Sequence, residues 1–364
     1  MGYRACVCKE LMFSAVLLLG AGCASPAGTP EADGSSSTGT TPPVGTASSN
    51  AATTGGSTET TAAPGASSGT SSTSASSDTS QSGTASSTGT TGNASICDGG
   101  SFPDAWPDGT ACPEDTFTVH RYSENTFILR QSLCTGFEGP FLYLMFGQDR
   151  VLLEDTGYAG AQVAPVVYGL IDTWLAERGR ESIELVVANS HGHGDHVGGN
   201  SQFVGMPNTT VVGFDVPSIS SFVGIQNWRE DIVAYDLGGR VLDVIPIPGH
   251  QSAHIALYDH GDGLLLTGDT LYPGRLYISS FDAYVASIDR MVTRLADEEV
   301  CHVLGTHIEM TDQPGVDFRF GADQHPGERE LQLSFEHLVE LRDAVAAMGT
   351  PQQEVHDDFI IFPL

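Results

Sequence analysis

Residues 190 to 200 read Ser-His-Gly-His-Gly-Asp-His-Val-Gly-Gly-Asn. The imidazoles of His191, His193 and His196 and the carboxylate of Asp195 crowd into one short stretch, a donor set suited to Zn²⁺. On extended backbone, residues two apart project to the same side. His191 and His193 are therefore expected to face one ion, and Asp195 and His196, at the turn into a following helix, a second. Gly192 and Gly194 are expected to let the backbone curl without steric cost. Two ions held roughly 3.5–4 Å apart trap a shared water and lower its pKa toward neutrality. The expected chemistry is hydrolysis by a metal-bridged hydroxide, with Asp195 as ligand and orienting catalytic residue. Iron or manganese tolerates such ligands too.

Elements to position this loop are readable on either side. Ile183–Ala188 is a continuous apolar run, expected as a strand that ends where the His cluster begins. Strands are also expected at Thr126–Arg130, Phe141–Phe146, Val151–Glu154, Val241–Ile247, Ile255–Tyr258, Leu264–Thr267, Val303–Leu304 and Phe359–Phe362. Helices are expected over Ala161 to about Arg178, Phe281–Leu295 and Glu328–Ala347. Mixed strands and helices, with candidate ligands at strand ends, imply packed sheets flanked by helices.

The His-rich segment resembles the signature of the metallo-β-lactamase-fold superfamily, and the likeness runs over most of residues 116–364. Asp155-Thr156-Gly157, Pro248-Gly249-His250, Gly268-Asp269 and His307 after Gly305-Thr306 are similar to further motifs of that family and follow in its order. The resemblance implies an αββα sandwich in the α/β class. It also implies His191, His193 and His250 on a first metal, Asp195, His196 and His307 on a second, and Asp269 bridging them. Five imidazoles and two carboxylates make a coherent set for two divalent ions. Around it, Asp155 is expected to accept a hydrogen bond from a ligand imidazole. His254 is a candidate support or packed structural residue, His302 a core residue. Tyr272, Arg275, Tyr277 and Glu309 are candidate pocket-lining residues. His120, His260, His325, His337 and His356 have no partner that sequence identifies.

Fold alone does not set the reaction, but departures within the family narrow it. His196 and Asp269 stand where many true β-lactamases carry Arg and Cys or Ser. His193 stands where oxygen-reducing diiron relatives use Glu. What remains resembles the glyoxalase II-like and lactonase-like hydrolases of small esters, thioesters and lactones. From Gln332 to Leu364 the sole permanent cation is Arg342, which disfavours glutathione recognition. The alternatives are a β-lactamase, a mononuclear iron oxygenase acting on persulfides, and a non-catalytic metal-binding surface lipoprotein.

Bulk composition adds location and partners. The 364 residues carry a net charge of −30, and residues after 96 hold nearly all of it. That field repels polyanions, so nucleic acid is not an expected partner. Arg4 and Lys9, the apolar run Leu11–Leu19, and Gly20-Ala21-Gly22 before Cys23 resemble a bacterial lipoprotein leader over residues 1–22. The likeness implies export and anchoring to a membrane through a lipidated Cys23, with the outer membrane expected from the Ala24 that follows. Residues 23–96 are rich in Ser, Thr and Gly and too poor in apolar side chains to fold, so a flexible tether is expected. A hydrolase domain is expected over 97–364. An oxidising compartment implies disulfides among Cys97, Cys112, Cys134 and Cys301. Of three connectivities, Cys97–Cys112 with Cys134–Cys301 is the expected one.

Overall fold

Strand β3 shows why the chain layers as it does. In Phe141–Phe146 every residue is buried. Successive side chains on a strand point to opposite faces, so a fully apolar strand needs cover on both sides. Phe141, Tyr143 and Met145 join the core between two sheets. Leu142, Leu144 and Phe146 join a second core beneath a helix.

A computed structural model describes residues 95–113 and 115–364. The leader expected at 1–22, Cys23 and nearly all of the tether expected at 23–96 lie outside them. No helix among the described residues is long and apolar enough to cross a membrane. The strands are β1 (Phe117–Arg121), β2 (Thr126–Gln131), β3 (Phe141–Phe146), β4 (Arg150–Glu154), β5 (Glu184–Ala188), β6 (Thr209–Val211), β7 (Val233–Asp236), β8 (Val241–Pro246), β9 (Ile255–Asp259), β10 (Leu264–Gly268), β11 (Arg275–Ile278), β12 (His302–Gly305), β13 (Gln332–Leu333), β14 (Glu354–Val355) and β15 (Ile360–Pro363). The helices are α1 (Val163–Glu177), α2 (Gly194–Val197), α3 (Val216–Val223), α4 (Phe281–Leu295) and α5 (Phe335–Ala347).

Strands β1 to β6 form one sheet in sequence order. The second sheet runs β13-β12-β10-β9-β8-β7, and β11-β15-β14 make a small third one. Helix α1 places Val163, Val167, Ile171 and Trp174 on the outer face of the first sheet. Helices α4 and α5 cover the second with Ile288, Met291, Leu295, Leu338 and Leu341. The layers are thus helix, sheet, sheet, helix: the expected αββα sandwich.

Two expectations need correction. The last helix begins at Phe335 rather than Glu328. Ser334 caps it together with His337, while Glu328 is drawn away to a buried ion pair with Arg130 at 2.5 Å and Gln332–Leu333 pairs with β12. The disulfides are Cys97–Cys301 and Cys112–Cys134, not Cys97–Cys112 and Cys134–Cys301. Short sequence separation misled here because residues 97–112 run along the molecule. Phe102 packs on Tyr122 and His302, and Trp106 on Phe141. The segment's two cysteines therefore meet different partners. Cys97–Cys301 closes a loop of 204 residues, for which a constraint of roughly 2–5 kcal/mol is usual. Cys97→Ser with Cys301→Ser is expected to lower unfolding free energy by about that much in urea titration, and an unchanged midpoint would contradict it.

Candidate metal centre

The site is assembled by strand ends. Parallel β4 and β5 finish side by side, Glu154 opposite Ala188. Parallel β10 and β12 finish with Gly268 opposite Gly305. Asp155 follows β4, the His cluster follows β5, His250 follows β8, Asp269 follows β10 and His307 follows β12. All seven candidate ligands converge, as two groups. His191, His193, His250 and Asp269 form one, and Asp195, His196 and His307 the other, with ligand atoms within 4.8 Å inside each.

In the first group, His193 Nδ1 lies 2.9 Å from His191 Nε2 and 3.0 Å from His250 Nε2. Asp269 Oδ2 sits 3.5 Å from His191 Nε2 and 3.4 Å from His250 Nε2. Its other oxygen, Oδ1, faces the second group, 3.4 Å from His196 Nε2 and 3.3 Å from His307 Nε2. Asp195 Oδ2 completes that group at 3.1 Å and 3.3 Å from the same two nitrogens. One carboxylate thus addresses both sets, as the bridging role requires. His193 alone of the seven is exposed, which opens the site to solvent on its side.

The donors fit metal ions on grounds internal to the chain. Far-side hydrogen bonds turn the ring lone pairs inward, as outer-shell partners of metal ligands do. His250 Nδ1 donates to the Tyr277 carbonyl at 2.7 Å, and His307 Nδ1 to the Glu138 carbonyl at 2.9 Å. His196 Nδ1 lies 2.7 Å from Asp155 Oδ2, leaving its buried Nε2 with no hydrogen-bond partner. An orphaned imidazole nitrogen at the centre of a carboxylate cluster is a ligand in want of a cation.

Electrostatics divide the two groups. In the second, burial opposes charge on the His196 and His307 rings, but Asp269 and Asp195 outweigh it and raise both well above the usual imidazole range, a demand for positive charge that a cation would meet. Burial pushes the His191 ring well below its usual pKa, toward the neutral form that ligates. Burial of Asp269 opposes its charge, but His196, His307 and His191 outweigh that and hold it well below the usual carboxylate range. Asp195 is likewise depressed, burial being outweighed by His196 and His307. The Glu138 carboxyl moves the other way, up to about 7, through burial and then the Asp195 charge.

Asp155 is the expected support. It is fully buried, takes φ of 66°, a region uncommon for non-glycine residues, and accepts from Ser190 N–H and Ser190 Oγ at 2.7 Å each. Asp155→Asn is expected to weaken metal affinity about 10–100-fold, read by competition with a chromogenic chelator. Unaltered affinity would remove Asp155 from this role. His254 is buried, its ring 4.6 Å from that of His191, with Nδ1 near Thr270 Oγ1 at 3.3 Å. Tyr272 and Glu309 are structural: Glu309 accepts from Arg275 N–H at 2.9 Å and Tyr272 Oη at 3.3 Å. Arg275 is engaged by Asp317 at 2.6 Å, and Tyr277 serves through its carbonyl. His302 is half-buried against Phe102. His120, His260, His325, His337 and His356 all have partners, respectively Ser101 O, Asp243, Glu328, Asp358 and Glu340.

Of the loop glycines, Gly192 leaves no room for a side chain, a Cβ there coming within 2.9 Å of the Phe214 ring, while Gly194 has open space around it. Neither Gly192 nor Gly194 takes the left-handed conformation. Gly249 is tighter still, since a Cβ there would come within 2.6 Å of the Tyr284 backbone in α4. Sequence reading missed Glu138, Ser190 and Thr306, whose Oγ1 donates to Asp269. Ser190 and Thr306 each immediately precede a ligand, the one signal available. Glu138 acts through its backbone, which side-chain chemistry cannot reveal.

This fold and donor set define a metal-dependent hydrolase. The profile of the metallo-beta-lactamase superfamily matches residues 135–349, and the chain belongs to that superfamily. A hydroxyacylglutathione hydrolase of Methylococcus capsulatus is 32% identical over 200 residues, 54% of this chain and 74% of that protein. One from a Synechococcus strain is 32% identical over 155 residues, 42% of this chain and 58% of that protein. The chain therefore spans about three quarters of the first relative and under two thirds of the second. Among solved structures, a metallo-beta-lactamase from Pontibacter korlensis aligns with a TM-score of 0.43 and 15% identity, covering 64% of this chain and 100% of that one.

Proposed function

We propose that the chain hydrolyses a small ester, thioester or lactone outside the cytoplasm, with two Zn²⁺ ions as cofactor. The observation that carries this reading is Asp269, whose two oxygens face two separate ligand groups. His191, His193 and His250 would hold one ion, Asp195, His196 and His307 the other. Bound there, the ions supply a water activated near neutral pH and Lewis-acid contact to a carbonyl oxygen. Asp195, held ionised, accepts a hydrogen bond from the water and so orients it. The Nδ1–H bonds to Tyr277 and Glu138 keep the rings of His250 and His307 from turning. In the net reaction the acyl C–O or C–S bond breaks, water oxygen enters the acid, and a proton passes to the leaving alcohol or thiol.

The named relatives act on hydroxyacylglutathione, which supports the thioester option as a class. Glutathione itself fits this chain less well. Arg342 is paired with Asp343, and Arg275 is held by Asp317 and Glu309. Asp269 in place of Cys or Ser and His196 in place of Arg favour esters over β-lactams. The lipid anchor at Cys23 belongs to the same proposal: Cys23→Ala should release the protein from the membrane fraction.

Elemental analysis of purified protein, coupled to a screen of esters, thioesters, lactones and a chromogenic β-lactam, tests the reading. Two metal equivalents with ester or lactone turnover are expected. Turnover of the β-lactam alone, or a single iron with oxygen consumption, would overturn it.

A further inference from the structure

Most exposed side chains on this acidic surface are polar, but one apolar feature stands beside the metal loop. Edge strand β6 and the turn before it border a groove of about 340 Å³ lined by Val204, Val211, Val212 and Phe214, with Asn200 and Thr209. Val204 is 68% exposed, Phe214 44% and neighbouring Met206 42%. Large apolar side chains clustered in water mark a binding surface more often than isolated ones do. Phe214 joins this groove to the site. A Cβ added at Gly192, between His191 and His193, would come within 2.9 Å of the Phe214 ring.

We propose that this groove is the acyl-chain subsite, so that the preferred substrates are esters of medium-length apolar carboxylic acids. The proposal rests on the hydrolase reading above and adds the substrate's apolar part. A groove of this volume lies at the lower end of small-molecule sites. Phe214 lines the groove and lies against Gly192, the residue next to the exposed ligand His193, so the groove meets the metal loop at that point. Added β-strand pairing is a poorer occupant. Strand β6 is three residues long, and Pro207 with Asn208 at positive φ precedes it, features that blunt an edge. No cation lines the groove to hold an acidic head group. In the reaction, water oxygen bonds to the acyl carbon, the acyl C–O bond breaks, and the alcohol leaves with a proton.

Two measurements on the metal-loaded full chain test this. In the first, kcat/KM for 4-nitrophenyl octanoate should exceed that for the acetate by at least about tenfold, the discrimination of one well-buried methylene. Val204→Asn and Phe214→Ser should each shrink that ratio severalfold. In the second, 1-octanol, but not ethanol, should shift the ¹³C-methyl signals of Val204, Val211 and Val212. Octanol shifts without turnover of any ester would sink the hydrolase reading and, with it, the acyl-chain role, leaving only an apolar binding groove. Turnover with no chain-length preference and no methyl shifts would overturn the groove assignment alone. Methyl signals that follow protein concentration rather than octanol would make the groove a contact between copies, and the proposal wrong.

Discussion

Asp269→Asn is expected to reduce turnover by about 10³-fold or more and to lower bound metal in the same preparation. Lewis-acid stabilisation is worth several kcal/mol, and each 1.36 kcal/mol is a factor of ten in rate. The amide replaces an anionic oxygen by an NH₂ group, so one of the two ligand groups loses its share of the carboxylate. Thr306 Oγ1 already donates to Asp269 Oδ1, which favours turning the amide oxygen that way and the NH₂ toward His191 and His250. The first group should therefore empty before the second. Metal analysis and circular dichroism on the variant distinguish this from misfolding. Full metal content with unaltered turnover would show that Asp269 bridges nothing.

Asp195→Asn should act differently, on rate more than on occupancy. Asp195 touches the second group only, 3.1 Å from His196 Nε2 and 3.3 Å from His307 Nε2. Its amide keeps a neutral oxygen for that group but loses the anionic acceptor that orients the water. Misplacing a reacting group by about 1 Å costs about 10²-fold, and kcat is expected to fall by at least about that much while the first group stays loaded. KM should move little, because Asp195 addresses the nucleophile rather than the substrate. Turnover equal to wild type would contradict the role assigned to it.

The two predictions differ in how far the chain's linear order anticipates them. Asp195 is four residues from His191, and its chemistry can be argued from local geometry alone. Asp269 is 78 positions from His191, and nothing in its own neighbourhood says that it bridges. Its role was legible only through family likeness, and the register of β10 against β12 supplies the physical cause. Helix and strand periods foretold the layers around it, because a fully apolar run such as Phe141–Phe146 must be covered on both faces. Short edge elements such as β6, β7 and α3 were not anticipated. They carry little periodic signal and are held by neighbours rather than by their own burial.

Local pattern, then, determined the donor types, the His-rich loop and the strands that end beside it. These depend on side-chain chemistry and on the period of the backbone, both of which travel with the residues. Tertiary structure alone decided which cysteines pair, that Glu138 and Tyr277 support ligand rings through carbonyls, and that Phe214 lies on the metal loop. Each of those is a meeting between different elements, from 22 to 204 positions apart, that no local pattern records. Loop closure costs grow only slowly with length, so separation along the chain says little about which groups meet.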